Sequence, residues 1–398
     1  MLTSLGYGLM LAGFLGVVCV SLGYPILVKL LGRLRGDSSS GGDLAQTEVG
    51  KVSLIVAMRN AESLLPAKLT SIAALQDPGG GIEVILASDG STDRTVPIAV
   101  GACKQQPDWR VIQLQAHEGK HRALDAATVR ATGGIMVFSD VDALLERDSL
   151  IQLLKPFQSA SVGGVCGQRL LGEPEAFHSD SQGRYVQIDS ELKSLEGKIG
   201  SITSNDGKLY AIRSELYETI PGGVTDDLYA SMSVVRQGWK FVFAPRARAW
   251  IRVPSRNEQH EFRRRRRIVC RSLRGIWLQR SVLNPFKTGL YAFGLGINKV
   301  GRRLLPFFLA AIIMGTWFLA VDSPPARWAA LLQLLATGLI LGEPRLRSHL
   351  DHPSMPRKLG QFLRLSNYAA VGLIGTALGV LDFALARKVV RWDPIKSD

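Results

Sequence analysis

The sequence predicts an α/β domain with a mostly parallel sheet and flanking helices, set between apolar helices near both ends of the chain. Three observations predict it. From Lys51 to about residue 258, short apolar runs alternate with amphipathic segments. Those runs close in clusters of Ser, Asp, Gly and Asn, the residues of turns and helix starts. Outside this region the apolar residues gather into blocks, which reconciles a 46% hydrophobic composition with a net charge of +14 over 398 residues.

The first block, Gly8 to Leu31, is nearly uncharged and long enough to span a bilayer. It lacks a basic segment before it and a small-residue cleavage site after it, so it is expected to stay as an anchor. Residues 36–50, "GDSSSGGDLAQTEVG", read as a linker. Val52 to Met58 is the first predicted strand, and Ala61 to Leu75 a helix. Ile82 to Ala87 is the next strand, followed by a helix from Asp93. Arg110 to Leu114 and Ile135 to Phe138 continue the series, with a helix over Lys120 to Thr132 between them. Further apolar blocks are Leu304 to Val321, Trp328 to Leu341 and Tyr368 to Leu385, the last carrying Asp382.

Basic residues flank these blocks: Lys29, Arg33 and Arg35 after the first, and Arg302-Arg303 before the second. With the loop Arg345 to Arg364 they place the α/β domain in the cytoplasm. The tail Arg387-Lys388…Arg391 does not fit that count if all three C-terminal blocks span. The four cysteines, Cys19, Cys103, Cys166 and Cys270, form no C-x-x-C pair and read as free thiols. His117 and His121 stand four apart beside a Gly-Lys turn, a poor metal site.

In open α/β sheets ligands bind beyond the carboxyl ends of the strands. The first strand ends in Arg59-Asn60-Ala61-Glu62, the second in "SDGSTDR", and the fourth in Asp140-Val141-Asp142. No G-x-G-x-x-G follows any predicted strand, which argues against a nicotinamide or flavin enzyme. Asp140 and Asp142, two apart, point the same way and need positive charge, from a divalent metal or from basic side chains. Gly119-Lys120 opens a helix, an anion site that Arg122 would strengthen. Asp226-Asp227 also opens a helix, where acids are favoured as caps. Five consecutive arginines, Arg263 to Arg267, lie in an amphipathic basic stretch suited to an anionic membrane surface. Without groove-reading or aromatic features, nucleic acid is not expected as a partner.

Four stretches, "VSLIVAMRNAES", "ILASDGSTDRT", "EGKHRALDAATVRATGGIMVFSDVDA" and "TDDLYASMSVVRQGWKFVFAPRARAW", resemble in content and order a family-2 glycosyltransferase of the GT-A fold. The resemblance covers roughly Val52 to Trp277, and "NKVGRRLLPFF" is similar to the membrane re-entry of polymer-forming members. It implies a nucleotide-sugar donor, UDP-linked, contacted by Ala57, Glu62, Asp89 and Asp93, with Lys120 and Asp140 also on the substrate. It implies Mg²⁺ or Mn²⁺ on Asp142 of the D-x-D element. Asp227 would be the general base, with Asp226 beside it, and Asp206 would line the acceptor side. Arg264 and Arg267 match the family's Q/R-x-x-R-W element, but Ile268 replaces its tryptophan, which favours adding one or few sugars over processive synthesis. Asp125 stands where asparagine is more common.

The expected protein is therefore an inverting, metal-dependent transferase, multi-pass in the inner (plasma) membrane. Its acceptor would be a lipid-linked glycan or a polysaccharide, with assembly or export partners possible. The expected divisions are an anchor (1–35), the linker (36–50), a catalytic domain (51–258), interfacial basic helices (259–300) and a membrane region (301–398). The competing readings are a processive synthase that exports its polymer and a catalytically silent scaffold of such an assembly.

Overall fold

The computed structural model describes residues 2–34, 50–172, 181–251, 258–350 and 357–387. The linker read over residues 36–50 lies almost wholly outside them, as do Arg35, part of the basic loop before Arg364, and the tail residues Lys388 and Arg391. The chain divides into two compact units, one within Ile26–Ser255 and Arg274–Leu295, the other within Met1–Pro25, Arg256–Leu273 and Gly296–Val389.

The first unit is built on one mixed sheet. Its strands are β1 (Val52–Met58), β2 (Ile82–Ser88), β3 (Trp109–Gln113), β4 (Ile135–Phe138), β5 (Ala143–Leu145), β6 (Val162–Leu171), β7 (Tyr210–Arg213) and β8 (Lys240–Ile251). They lie side by side as β3-β2-β1-β4-β7-β6-β8-β5. The first four are parallel, as the alternation of strands and helices predicts. Every residue of β1 is buried, which is why it reads as an unbroken apolar run and not an alternation.

The sheet changes direction at β7, which runs antiparallel to β4 with Tyr210 opposite Phe138 and Arg213 opposite Ile135. That reversal brings the residues just before β7 to the edge where β1, β2 and β4 end. Gly133 lets β4 enter beside β1: a β-carbon there would lie 2.6 Å from the Ser53 nitrogen. The first helix of the series begins later than predicted, at Leu65 and not Ala61. Pro66 favours the first turn, and Ala61–Leu64 forms a separate turn closed by Leu64 N–H donating to the Ala61 carbonyl.

Among the described residues, four helices are long and apolar enough to cross a membrane: Leu2–Leu34, Leu290–Leu319, Pro324–Arg345 and Lys358–Ala384. Each overlaps one of the four blocks expected from the sequence, the second beginning at Leu290 and not Leu304. In the second unit the helices Leu2–Val18 and Arg302–Leu319 approach closely through small residues. A β-carbon on Gly13 would lie 2.5 Å from the Phe308 carbonyl oxygen, and one on Gly315 2.7 Å from that of Gly6. The basic helix Glu258–Leu278 meets the helix Arg357–Ala384 at Gly375 and Gly379. Asp382, an acid within an apolar block, is buried and accepts a hydrogen bond from Arg266 Nη2 at 2.8 Å.

Candidate active site

The carboxyl edge of the parallel strands gathers charge of both signs. Asp140 follows β4 and accepts from Lys120 Nζ at 2.7 Å and Lys208 Nζ at 3.0 Å. Asp142 accepts from the same Lys208 ammonium at 2.8 and 2.9 Å. Lys120, opening the helix Lys120–Thr128, also donates to Asp226 Oδ2 at 2.6 Å, so one ammonium ties the end of β4 to the start of the helix Asp226–Arg236. Burial disfavours the charged form of Asp140, but Lys120 and Lys208 outweigh it and hold that carboxyl well below the usual range. Burial works equally against the two lysines, and the facing carboxylates overcome it and raise both.

Asp227 is the opposite case. Burial and then the neighbouring Asp226 charge push its carboxyl up to about 7, against the hydrogen bond it accepts from Leu228 N–H. A β-carbon on Gly207 would lie 3.7 Å from Asp227 Oδ2 and 3.8 Å from Asp140 Oδ2, so the Asp206-Gly207 turn sits between those two acids. Asp206 itself is paired with Arg169 at 3.3 Å. Lys120, Phe138, Asp140, Gly207, Tyr210 and Asp226 are among the residues lining a narrow pocket here. A base that takes protons near neutral pH therefore stands beside a cluster of fixed cations and acids.

The residues expected on the nucleotide side are brought to the same edge, and they are tied to one another. Asp89, fully buried, accepts from His117 Nδ1 at 2.8 Å and from the backbone N–H groups of Glu118 and Gly119. Asp93 accepts from the N–H groups of Glu62 and Thr95, and Glu62 from that of Arg94. These bonds lace the loop after β1 to the loop after β2. Ala57 is buried within β1, opposite Ala87 of β2. Arg264 and Arg267 belong to the other unit, where Arg264 pairs with Glu261 at 3.1 Å.

Two lysines essential to this geometry were missed from the sequence. Lys208 was visible within "SNDGKLYAIR", but only the antiparallel placement of β7 reveals that it faces the acids after β4. The oxygens of Asp140 and Asp142 converge on its ammonium, so they define one point suited to a cation. Hard oxygen donors at such a point fit Mg²⁺ or Mn²⁺. Among the described residues no group of three or more His, Cys, Asp or Glu is arranged to hold a metal, so further ligands would come from substrate and water.

The second missed residue is Lys68, fully buried, which donates to Ser139 Oγ at 2.7 Å and to the Ala143 carbonyl at 2.6 Å. It thereby braces both sides of Asp140–Asp142. Burial lowers its pKa from 10.5 to about 7. Between those values the folded protein binds one proton fewer than the unfolded chain, so stability from this site rises with pH from about 7 to 10. Lys68→Met is expected to remove a rise on the order of 3 kcal/mol. Thermal unfolding of wild type and variant in detergent at pH 6.5 and 9.5 measures it; equal pH dependence in both would refute the assignment.

Residues 53–220 match the glycosyl transferase family 2 model. The chain is 26% identical over 206 residues to a β-monoglucosyldiacylglycerol synthase of Synechocystis, covering 50% of this chain and 43% of that protein. It is 22% identical over 213 residues to a poly-β-1,6-N-acetyl-D-glucosamine synthase of Staphylococcus epidermidis, covering 52% and 51%. The chain thus spans about half the length of these relatives. Its fold is similar to that of a mannosyltransferase from Pyrobaculum calidifontis solved with GDP-Man and Mn²⁺. There the TM-score is 0.67 at 22% identity, over 97% of this chain and 100% of that one.

Proposed function

We propose that this chain, a family-2 glycosyltransferase by its residues 53–220, moves a sugar from a nucleoside-diphosphate sugar to a hydroxyl of a lipid or membrane-held glycan. The observation that carries the reading is Asp227: a half-buried carboxyl poised near neutral pH, beside the acids and ammonium groups gathered after β4. The catalytic work is assigned to residues 51–258, and membrane contact to the basic helices within 259–300 and the apolar helices of 301–398.

In this mechanism Asp227 accepts the proton of the acceptor hydroxyl, whose oxygen forms a bond to the anomeric carbon. The bond from that carbon to the phosphate oxygen breaks, its electron pair leaving with the nucleoside diphosphate. Displacement from the opposite face inverts the anomeric centre. Asp226, held by Lys120, fixes the start of the helix that carries Asp227. Lys120 presents a permanent positive charge to the diphosphate. Asp142, with Asp140, would hold the divalent metal, which when bound stabilises negative charge on the leaving group.

Asp89, Asp93 and Glu62 shape the nucleotide side through the loops they join, with Ala57 assigned to the same side from within β1. Asp206 lines the acceptor side, and Arg264 and Arg267 are assigned to the diphosphate. The acceptor class is supported by the four apolar helices and by the glycolipid and polysaccharide products in the names of the relatives. The basic flanks of those helices support a cytoplasmic catalytic face.

The test is a donor screen with UDP- and GDP-sugars on membranes expressing the protein, read as nucleotide release. Turnover with at least one donor is expected. No release with any donor, and no Mn²⁺-dependent binding of UDP or GDP by purified protein, would leave a scaffold.

A further inference from the structure

The D-x-D acids carry a cation belonging to the chain itself. Lys208 Nζ reaches Asp142 at 2.8 and 2.9 Å and Asp140 at 3.0 Å. Asp140 Oδ1 is taken separately by Lys120 at 2.7 Å. All four carboxylate oxygens after β4 thus face an ammonium group, and three of those contacts go to Lys208. An ammonium and a divalent ion cannot share one point: at such separations the repulsion between them matches in kind the attraction each feels for the acids. The Lys208 side chain is one-fifth exposed and that of Asp140 about as little, so the competition over Asp140 is the less screened by solvent. Its position follows from the fold, because the residue lies two places before Tyr210, which pairs with Phe138 at the end of β4.

We propose that Lys208 is a resident counter-ion that competes with the divalent metal for Asp140 and Asp142 and so sets how tightly metal binds before a donor arrives. The site is then charge-balanced and ordered without metal. Metal entry requires the ammonium to swing off both acids, leaving Asp140 still held by Lys120. This deepens the transferase reading and rests on it for the use of a metal there.

The test is direct titration of purified full-length protein with Mn²⁺ alone, free ion being counted by its paramagnetic resonance. Lys208→Met and Lys208→Gln, which lose the charge, are expected to bind Mn²⁺ about ten-fold more tightly than wild type or better. Lys208→Arg, which keeps the charge, should not gain. Glutamine can still donate to the carboxylates, so it serves if the methionine variant does not fold. Neutral variants that bind Mn²⁺ no more tightly than wild type, or an arginine variant that gains as much, would overturn the proposal. The transferase reading has its own readout in the same preparation, Mn²⁺-dependent binding of UDP or GDP by wild type.

Discussion

Asp227→Asn is expected to bind nucleoside diphosphate as wild type does and to lose transfer by about 10²- to 10⁴-fold, the usual worth of a positioned base. The amide can still accept from the Leu228 N–H, the bond that orients this side chain, so geometry is preserved while the proton acceptor is lost. In the proposed mechanism nucleotide binding rests on charges carried elsewhere, by Lys120 and the acids after β4. Isothermal titration with UDP or GDP and Mn²⁺, paired with single-turnover transfer, separates the two effects. Activity equal to wild type would remove Asp227 from the mechanism.

The same substitution has a stability signature of opposite sign. Wild-type transfer should rise with pH through about 7, since only the ionised carboxylate can take a proton. Above the unfolded value of 3.8, folding holds a proton on Asp227 that the unfolded chain releases. The half-buried acid therefore costs stability increasingly up to about pH 7 and by a constant amount beyond. At pH 8 Asp227→Asn should be more stable than wild type, on the order of 2 kcal/mol. A variant that loses activity because it is misfolded would be less stable.

How much of this was legible beforehand depends on which interaction placed each residue. The four parallel strands and the acids that follow them could be read because a buried strand is a local signal, an apolar run closed by a turn. The helices opened by Lys120 and Asp226 were legible for the same reason. Lys68 and Lys208 were not, because their importance arises from contacts 71 and 66 residues away in sequence. A lone lysine carries no sign of being buried, and the strand reversal at β7 has no marker in "SNDGKLYAIR". Asp89 shows a subtler limit: its strand-end position was correct, while its engagement by His117 and the following loop emerges only from the crossing of two distant turns.

Asp142→Ala is expected to abolish the metal-dependent part of nucleotide binding while leaving the protein folded. Loss of outer partners alone commonly costs metal sites 10- to 100-fold, so removing a direct ligand should cost at least about 100-fold. Asp142 is the right acid for this test because its side chain is 39% exposed and, among the described residues, it pairs with Lys208 alone. Such a pair contributes little to stability, about 1 kcal/mol or less. Asp140 would be a poor choice, since its removal strips a shared partner from Lys120 and Lys208 together and leaves each with a single carboxylate, Asp226 or Asp142. Binding of UDP or GDP measured with Mn²⁺ and again with EDTA should differ strongly in wild type and hardly at all in the variant. If the variant kept the wild-type difference, the metal would have to be held elsewhere, and the acids after β4 would have only their lysines to serve.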